Sequence, residues 1–169
     1  MGWFRGFGAF LHGRSPTWAV LAIQPANKHS TIVANSGGDV TDSDFAAIMK
    51  DLLIDSNGNS TVKDAKFFFQ TCFGGGMLDD LNVALGDKVK WVGGSASRYD
   101  EVSWGFTNEV AGAGDYWTLG LVPELAKDQT VLQALEKADN NPWEVRGGVT
   151  ETGQEVTGSA IGGDQIKLV

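Results

Sequence analysis

The run Phe67-Phe68-Phe69-Gln70-Thr71-Cys72-Phe73-Gly74-Gly75-Gly76 holds the only cysteine of the chain and decides how the rest is read. Its aromatics favour extended backbone, and a continuous apolar run suits a strand covered on both faces, as in the middle of a parallel sheet. The glycines that follow let the backbone turn sharply with its amides exposed. A strand that delivers a thiol to the carboxyl edge of a sheet, just before such a turn, is where an α/β protein sets a nucleophile against a carbonyl. A lone cysteine is otherwise most often a core residue, since free Cys is among the most buried side chains. The turn is what distinguishes Cys72.

The 169 residues are 42% hydrophobic and 20% charged, the composition of one globular domain with its own core. No apolar stretch approaches the ~20 residues of a spanning helix, and Met1-Gly2-Trp3-Phe4-Arg5 lacks the pattern of a signal peptide, so a soluble chain without a visible leader is expected. A single cysteine cannot form an internal disulfide. The net charge of −8 opposes binding to nucleic acid and to anionic membranes, both of which rely on clustered Lys and Arg.

Outward from the cysteine, turn residues and periodicity mark the other elements. Trp18 to Ile23 and Thr31 to Ala34 read as neighbouring strands, and Val89 to Val92 as another that ends at Gly93-Gly94-Ser95-Ala96-Ser97. Thr41 is a good N-cap for a helix with Phe45, Ile48, Met49, Leu52 and Leu53 on its apolar face. Two more helices are predicted over Leu119 to Leu125 and Val131 to Ala138, with Pro123 kinking or starting a segment. The C-terminal stretch from Ile161 to Val169 is expected to close the sheet. Asp55, Asn57 and Asn59 alternate as oxygen ligands do in a calcium loop, but Ser60 stands where that motif needs glycine, so a solvated turn is the better reading. Strands alternating with helices call for a layered α/β fold.

A thiol nucleophile needs a base, and the chain offers His12 and His29. His12 ends the apolar Ala9-Phe10-Leu11 and is followed by Gly13, whereas His29 sits in the polar Asn27-Lys28-His29-Ser30. His12 is therefore the expected base, with His29 as the alternative.

These residues resemble the caspase and legumain clan of cysteine peptidases, in which a His-Gly ends one strand and a Cys ends the next. Gln70-Thr71-Cys72-Phe73-Gly74 is similar to the caspase signature of Gln-Ala-Cys with a Gly two residues on and a histidine about 50 residues upstream, a spacing that His12 and His29 bracket. The likeness is strongest to the legumain branch, whose Glu-Ala-Cys-Glu-Ser-Gly-Ser-Met-Phe is similar to residues 70–78. Its Glu-Ser-Ser-Tyr loop resembles Asp100-Glu101-Val102-Ser103-Trp104, and its Gly-Asp-Trp-Tyr-Ser step resembles Gly114-Asp115-Tyr116-Trp117-Thr118.

The resemblance implies a three-layer α/β/α caspase-like fold with a mostly parallel sheet, filling residues 1–169 as one domain. It also implies a cysteine endopeptidase that works through an acyl-enzyme on a peptide or protein substrate, with no metal or cofactor. Catalysis would fall to His12 and Cys72, the oxyanion to the amides of Gly13 and Cys72, and the pocket before the scissile bond to Gln70, Ser103 and Asp115, with Asp115 selecting a basic or amide side chain. Gln70 matches caspases where legumains carry glutamate. Only eleven residues precede His12, where the clan has at least a strand and a helix, so the fold is expected to be truncated at its N-terminus, with a sheet edge open to a partner chain or a missing segment. A catalytically inactive interaction or regulatory module, or a transpeptidase that passes the same acyl group to an amine, are the alternatives on this scaffold.

Overall fold

A computed structural model describes residues 20–21, 30–33, 39–101, 103, 105–108, 112–138 and 155–168. Two sheets come first to the eye of the topology. A small antiparallel one joins β1 (Val20–Leu21), β2 (Thr31–Val33) and β3 (Val40–Thr41). The other is ordered β4 (Ala65–Phe69), β5 (Trp91–Ser95), β8 (Glu155–Gly158). Strands β4 and β5 run parallel, with Ala65 opposite Trp91 and Phe69 opposite Ser95, while β8 runs antiparallel to β5. A separate hairpin pairs β6 (Gly105–Asn108) with β7 (Gly112–Asp115).

The helices lie on both faces of the β4-β5-β8 sheet, because alternate side chains of its strands enter two different cores. On one face Phe67, Phe69 and Trp91 pack with Leu78, Leu81 and Leu85 of α2 (Gly75–Leu85) and with Phe45, Met49 and Leu53 of α1 (Asp42–Leu53). On the other, Phe68, Val92 and Val156 pack with Trp117 and Leu121 of α3 (Tyr116–Leu125) and with Val131, Ala134, Leu135 and Ala138 of α4 (Val131–Ala138). The expected helix–sheet–helix layering is therefore present among the described residues, around a three-stranded sheet in which two strands run parallel and the third antiparallel.

Several elements depart from the sequence reading. Gly93 and Gly94 lie inside β5 and do not end it. A Cβ on Gly93 would come within 2.6 Å of Leu78, and one on Gly94 would overlap Leu135, so the two glycines allow a helix to press on the strand from each side. The apolar face of α1 is narrower than predicted: Phe45, Met49 and Leu53 meet the core, whereas Ile48 and Leu52 are exposed. Pro123 sits within α3. The sheet is closed by β8, and the C-terminal stretch instead lays Ile166 into the core beneath α4, its carbonyl accepting the Val131 N–H at 2.7 Å.

Thr41 does cap α1. Its hydroxyl accepts the Asp44 N–H at 3.1 Å, while the Asp44 carboxylate accepts the Thr41 N–H and hydroxyl. The side-chain and then the backbone hydrogen bond from Thr41 hold the Asp44 carboxyl below its usual 3.8. Such a carboxylate stabilises the folded state above the unfolded pKa, and that contribution fades as acid protonates it.

Two outcomes follow from this packing. Gly94→Ala should lower unfolding free energy by about 1–3 kcal/mol in urea titrations, the cost of overpacking a filled core, whereas the exposed Val83→Ala should stay within about 0.5 kcal/mol. Thr41→Ala should cost about 1 kcal/mol at pH 7. The gap between that variant and the parent should narrow as pH falls below the carboxylate range, and a gap independent of pH would rule out the Asp44 contribution.

Candidate active site

Cys72 follows β4 by three residues, at the carboxyl edge of the β4-β5 parallel pair. The described sheet places β4 on its outside and β5 in its centre, so the cysteine strand is not the central one expected. Pairing continues one step past the strands, with the Ala96 N–H donating to the Phe69 carbonyl at 3.0 Å. Two fully buried serines then fasten the turn to the end of β5. The Ser97 hydroxyl donates to the Thr71 carbonyl at 3.0 Å, and the Ser95 hydroxyl donates to the Ser97 carbonyl at 2.6 Å. The Ser97 carbonyl also accepts the Gly75 N–H at 3.0 Å, which ties the first turn of α2 to the same loop. Gly74 suits this position, since a Cβ there would overlap the Ser95 hydroxyl oxygen.

Phe73, directly after the cysteine, has φ +59°, the only described non-glycine residue with positive φ. The left-handed region costs an L-residue about 1–2 kcal/mol, so the surroundings must impose it. They do so from two sides. The Phe73 N–H donates to the Glu101 carbonyl at 2.7 Å, and the Phe73 carbonyl accepts the Ser30 hydroxyl at 2.6 Å. The result is a strand, a strained turn and a helix, with Cys72 just ahead of the positive end of α2.

The sulfur is half-buried, not sealed in a core. It donates to the Ser103 carbonyl across 3.7 Å and accepts the Ser103 hydroxyl at 3.8 Å. Among the described residues the Cys72 main-chain N–H donates to no acceptor, which leaves it available to a ligand oxygen.

Of the other residues singled out from sequence, Gln70 is half-buried two positions before the cysteine. Asp115 closes β7, and its backbone pairs with Gly105, two residues beyond Ser103. The structure thus brings the Ser103 side chain to the sulfur and the Asp115 backbone beside the strand that follows Ser103. It does so through the β6-β7 hairpin. His12, Gly13 and His29 lie outside the described residues.

Sequence reasoning missed Ser30, Ser95 and Ser97, and it missed the helix that follows the glycines. Met77, Leu78, Leu81 and Leu85 carry a helical spacing that would have revealed α2. No local signal marks the serines, because their partners are distant in sequence. The Asp55 loop is a self-capped turn: Asp55 Oδ1 accepts the Asn57 and Asn59 amides at 2.9 and 2.8 Å, and the backbone bond to Asn59 foremost holds the carboxyl below its usual value. Among the described residues no group of three or more His, Cys, Asp or Glu side chains could hold a metal ion, and no helix is long and apolar enough to cross a membrane.

No family model matches the sequence, and no curated protein matches it.

The serine fastening gives a direct check. Ser97→Ala leaves the half-buried Thr71 carbonyl without this partner and should cost about 1 kcal/mol by urea unfolding; a loss near zero would show that the loop is held by its backbone bonds alone.

Proposed function

We propose that the protein is a cysteine hydrolase of the caspase and legumain type, cleaving peptide bonds through an acyl-enzyme on Cys72. The observation that carries this reading is the setting of Cys72: a half-buried thiol at the carboxyl edge of a parallel strand pair, on a strained turn that leads into a helix, with its own amide uncommitted among the described residues. Strain held by surrounding structure is characteristic of functional sites.

In this mechanism a histidine takes the thiol proton and Cys72 attacks the peptide carbonyl. The Cys72 amide receives the developing oxyanion, the amine leaves with the proton, and water then releases the acyl group. Ser103 contacts the sulfur in the resting protein and would orient it toward the incoming carbonyl. Gln70 and Asp115 complete the pocket for the residue before the scissile bond, with Asp115 favouring a basic or amide side chain by charge pairing or hydrogen bonding.

His12 is the proposed base, from its His-Gly setting, with the Gly13 amide as second oxyanion donor and His29 as the alternative.

A peptidyl chloromethylketone or acyloxymethylketone should label the wild-type protein at Cys72, and Cys72→Ala should abolish both labelling and peptide hydrolysis. His12→Ala should lower kcat by roughly 10²–10⁴-fold, the span of general-base catalysis, while His29→Ala stays near wild type. The opposite pair of results would move the base to His29. Labelling at Cys72 with no turnover of any peptide would favour an inactive module.

A further inference from the structure

The geometry points to Ser30 and Asp42 as a positioning latch for the Cys72 turn: Asp42 locks Ser30, and the Ser30 hydroxyl locks the peptide plane that follows Phe73. This deepens the peptidase reading above and rests on it for its catalytic consequence, though not for its existence.

Ser30 and Asp42 are both 3% exposed, close to complete burial for a polar residue and an acidic one. They bond to each other twice. The Ser30 N–H donates to Asp42 Oδ2 at 2.8 Å, and the Asp42 N–H donates to the Ser30 carbonyl at 2.8 Å. Asp42 Oδ1 accepts the Ser43 N–H at 2.8 Å, so the carboxylate is itself fixed at the start of α1. A buried carboxylate must be hydrogen-bonded to be tolerated, and here its bonds define the place of one residue from another element.

That residue then acts across the fold. The Ser30 hydroxyl reaches the Phe73 carbonyl at 2.6 Å, a short bond from a side chain without freedom to wander. Its position is also walled by α2, because a Cβ on Gly76 would fall 2.5 Å from the hydroxyl oxygen and 3.5 Å from Asp42 Oδ2. The Phe73 N–H is held on the opposite side by the Glu101 carbonyl. Each peptide group flanking Phe73 thus has one short anchor from a distant part of the chain, and the left-handed conformation that aims the turn needs both. With the Ser30 hydroxyl removed, the Phe73 carbonyl keeps only the 3.2 Å bond from the Gly76 N–H, and the turn can relax toward ordinary angles. Neither Ser30 nor Asp42 touches the sulfur, so both are positioning residues, acting through Phe73 on the direction of the Cys72 amide and thiol.

The test compares wild type, Ser30→Ala and Ser30→Thr, with amide hydrogen exchange followed by NMR and hydrolysis followed on a mixture of peptidyl aminomethylcoumarins varied at the residue before the cleaved bond. In Ser30→Ala, exchange at the Phe73 amide should rise about tenfold or more while the Leu81 and Leu85 amides in α2 keep their rates, as local opening requires. The same variant should lose about tenfold in kcat with KM within about twofold, and Ser30→Thr, which keeps the hydroxyl, should recover both. Unchanged exchange at Phe73, a uniform rise across α2, or equal impairment in Ser30→Thr would each overturn the latch. If Ser30→Ala does not fold, Gly76→Ala displaces the hydroxyl sterically and must show the same local rise, and unchanged exchange there overturns the latch too. A faster Phe73 amide in a protein whose wild type hydrolyses none of the peptides would uphold the latch and sink the peptidase reading instead.

Discussion

Close approach to β5 is the constraint on which the other described elements depend. Gly93 and Gly94 carry no Cβ, so Leu78 of α2 meets the strand on one face and Leu135 of α4 meets it on the other. A sheet usually offers a helix a surface roughened by side chains, and helix and sheet then stand apart. Here the backbone itself is the surface at two successive positions, one per face. Because α2 is drawn in close, its first turn comes down onto the end of β5, where Ser95 and Ser97 hold the segment containing Thr71, Cys72 and Gly75. The placement of the thiol is thus a product of core packing several residues away.

The same logic accounts for the glycines at the turn. Gly74 is pressed against Ser95 and Gly76 against Ser30, each from a different part of the chain. The sequence run that reads as a generic flexible turn is in fact a set of close approaches, each with its own neighbour. Phe73, the one residue of the turn that bears a large side chain, is also the one held at positive φ, and it is held by hydrogen bonds from two directions.

Much of the secondary structure was legible because it is encoded locally. Thr41 with Asp44 is a capping box that any reader of residues 41–53 can find, and the spacing of Val131, Leu135 and Ala138 marks α4. The aromatic run announced β4, and Cys72 stood out by its context. What was illegible depends on distant partners. Glycines at 93 and 94 look like a loop until Leu78 and Leu135 are seen against them. The strand that completes the sheet, β8, is only four residues long, with Val156 and Thr157 between Glu155 and Gly158, too short a run to stand out; its identity comes from pairing with β5. Ser30 reads as one polar residue in a polar segment, and only the fold brings it to Phe73. The exposure of Ile48 and Leu52 reflects a core that takes a narrower stripe of α1 than the periodicity offers.

The order of the sheet has a bearing on how it is made. Strand β5 takes its second partner, β8, from beyond α3 and α4, so that pairing closes a long stretch of chain. Long-range pairing is slow to form, since the entropy of closing the loop is lost before any contact repays it. During synthesis β4, α2 and β5 leave the ribosome well before β8 does, and until it arrives β5 has a bare side, with Trp91, Val92 and an unpaired row of backbone groups. An extended segment from another nascent chain could occupy that side by the same antiparallel register. Yield on expression should therefore respond to growth temperature and chaperone supply more than the finished domain's stability would suggest.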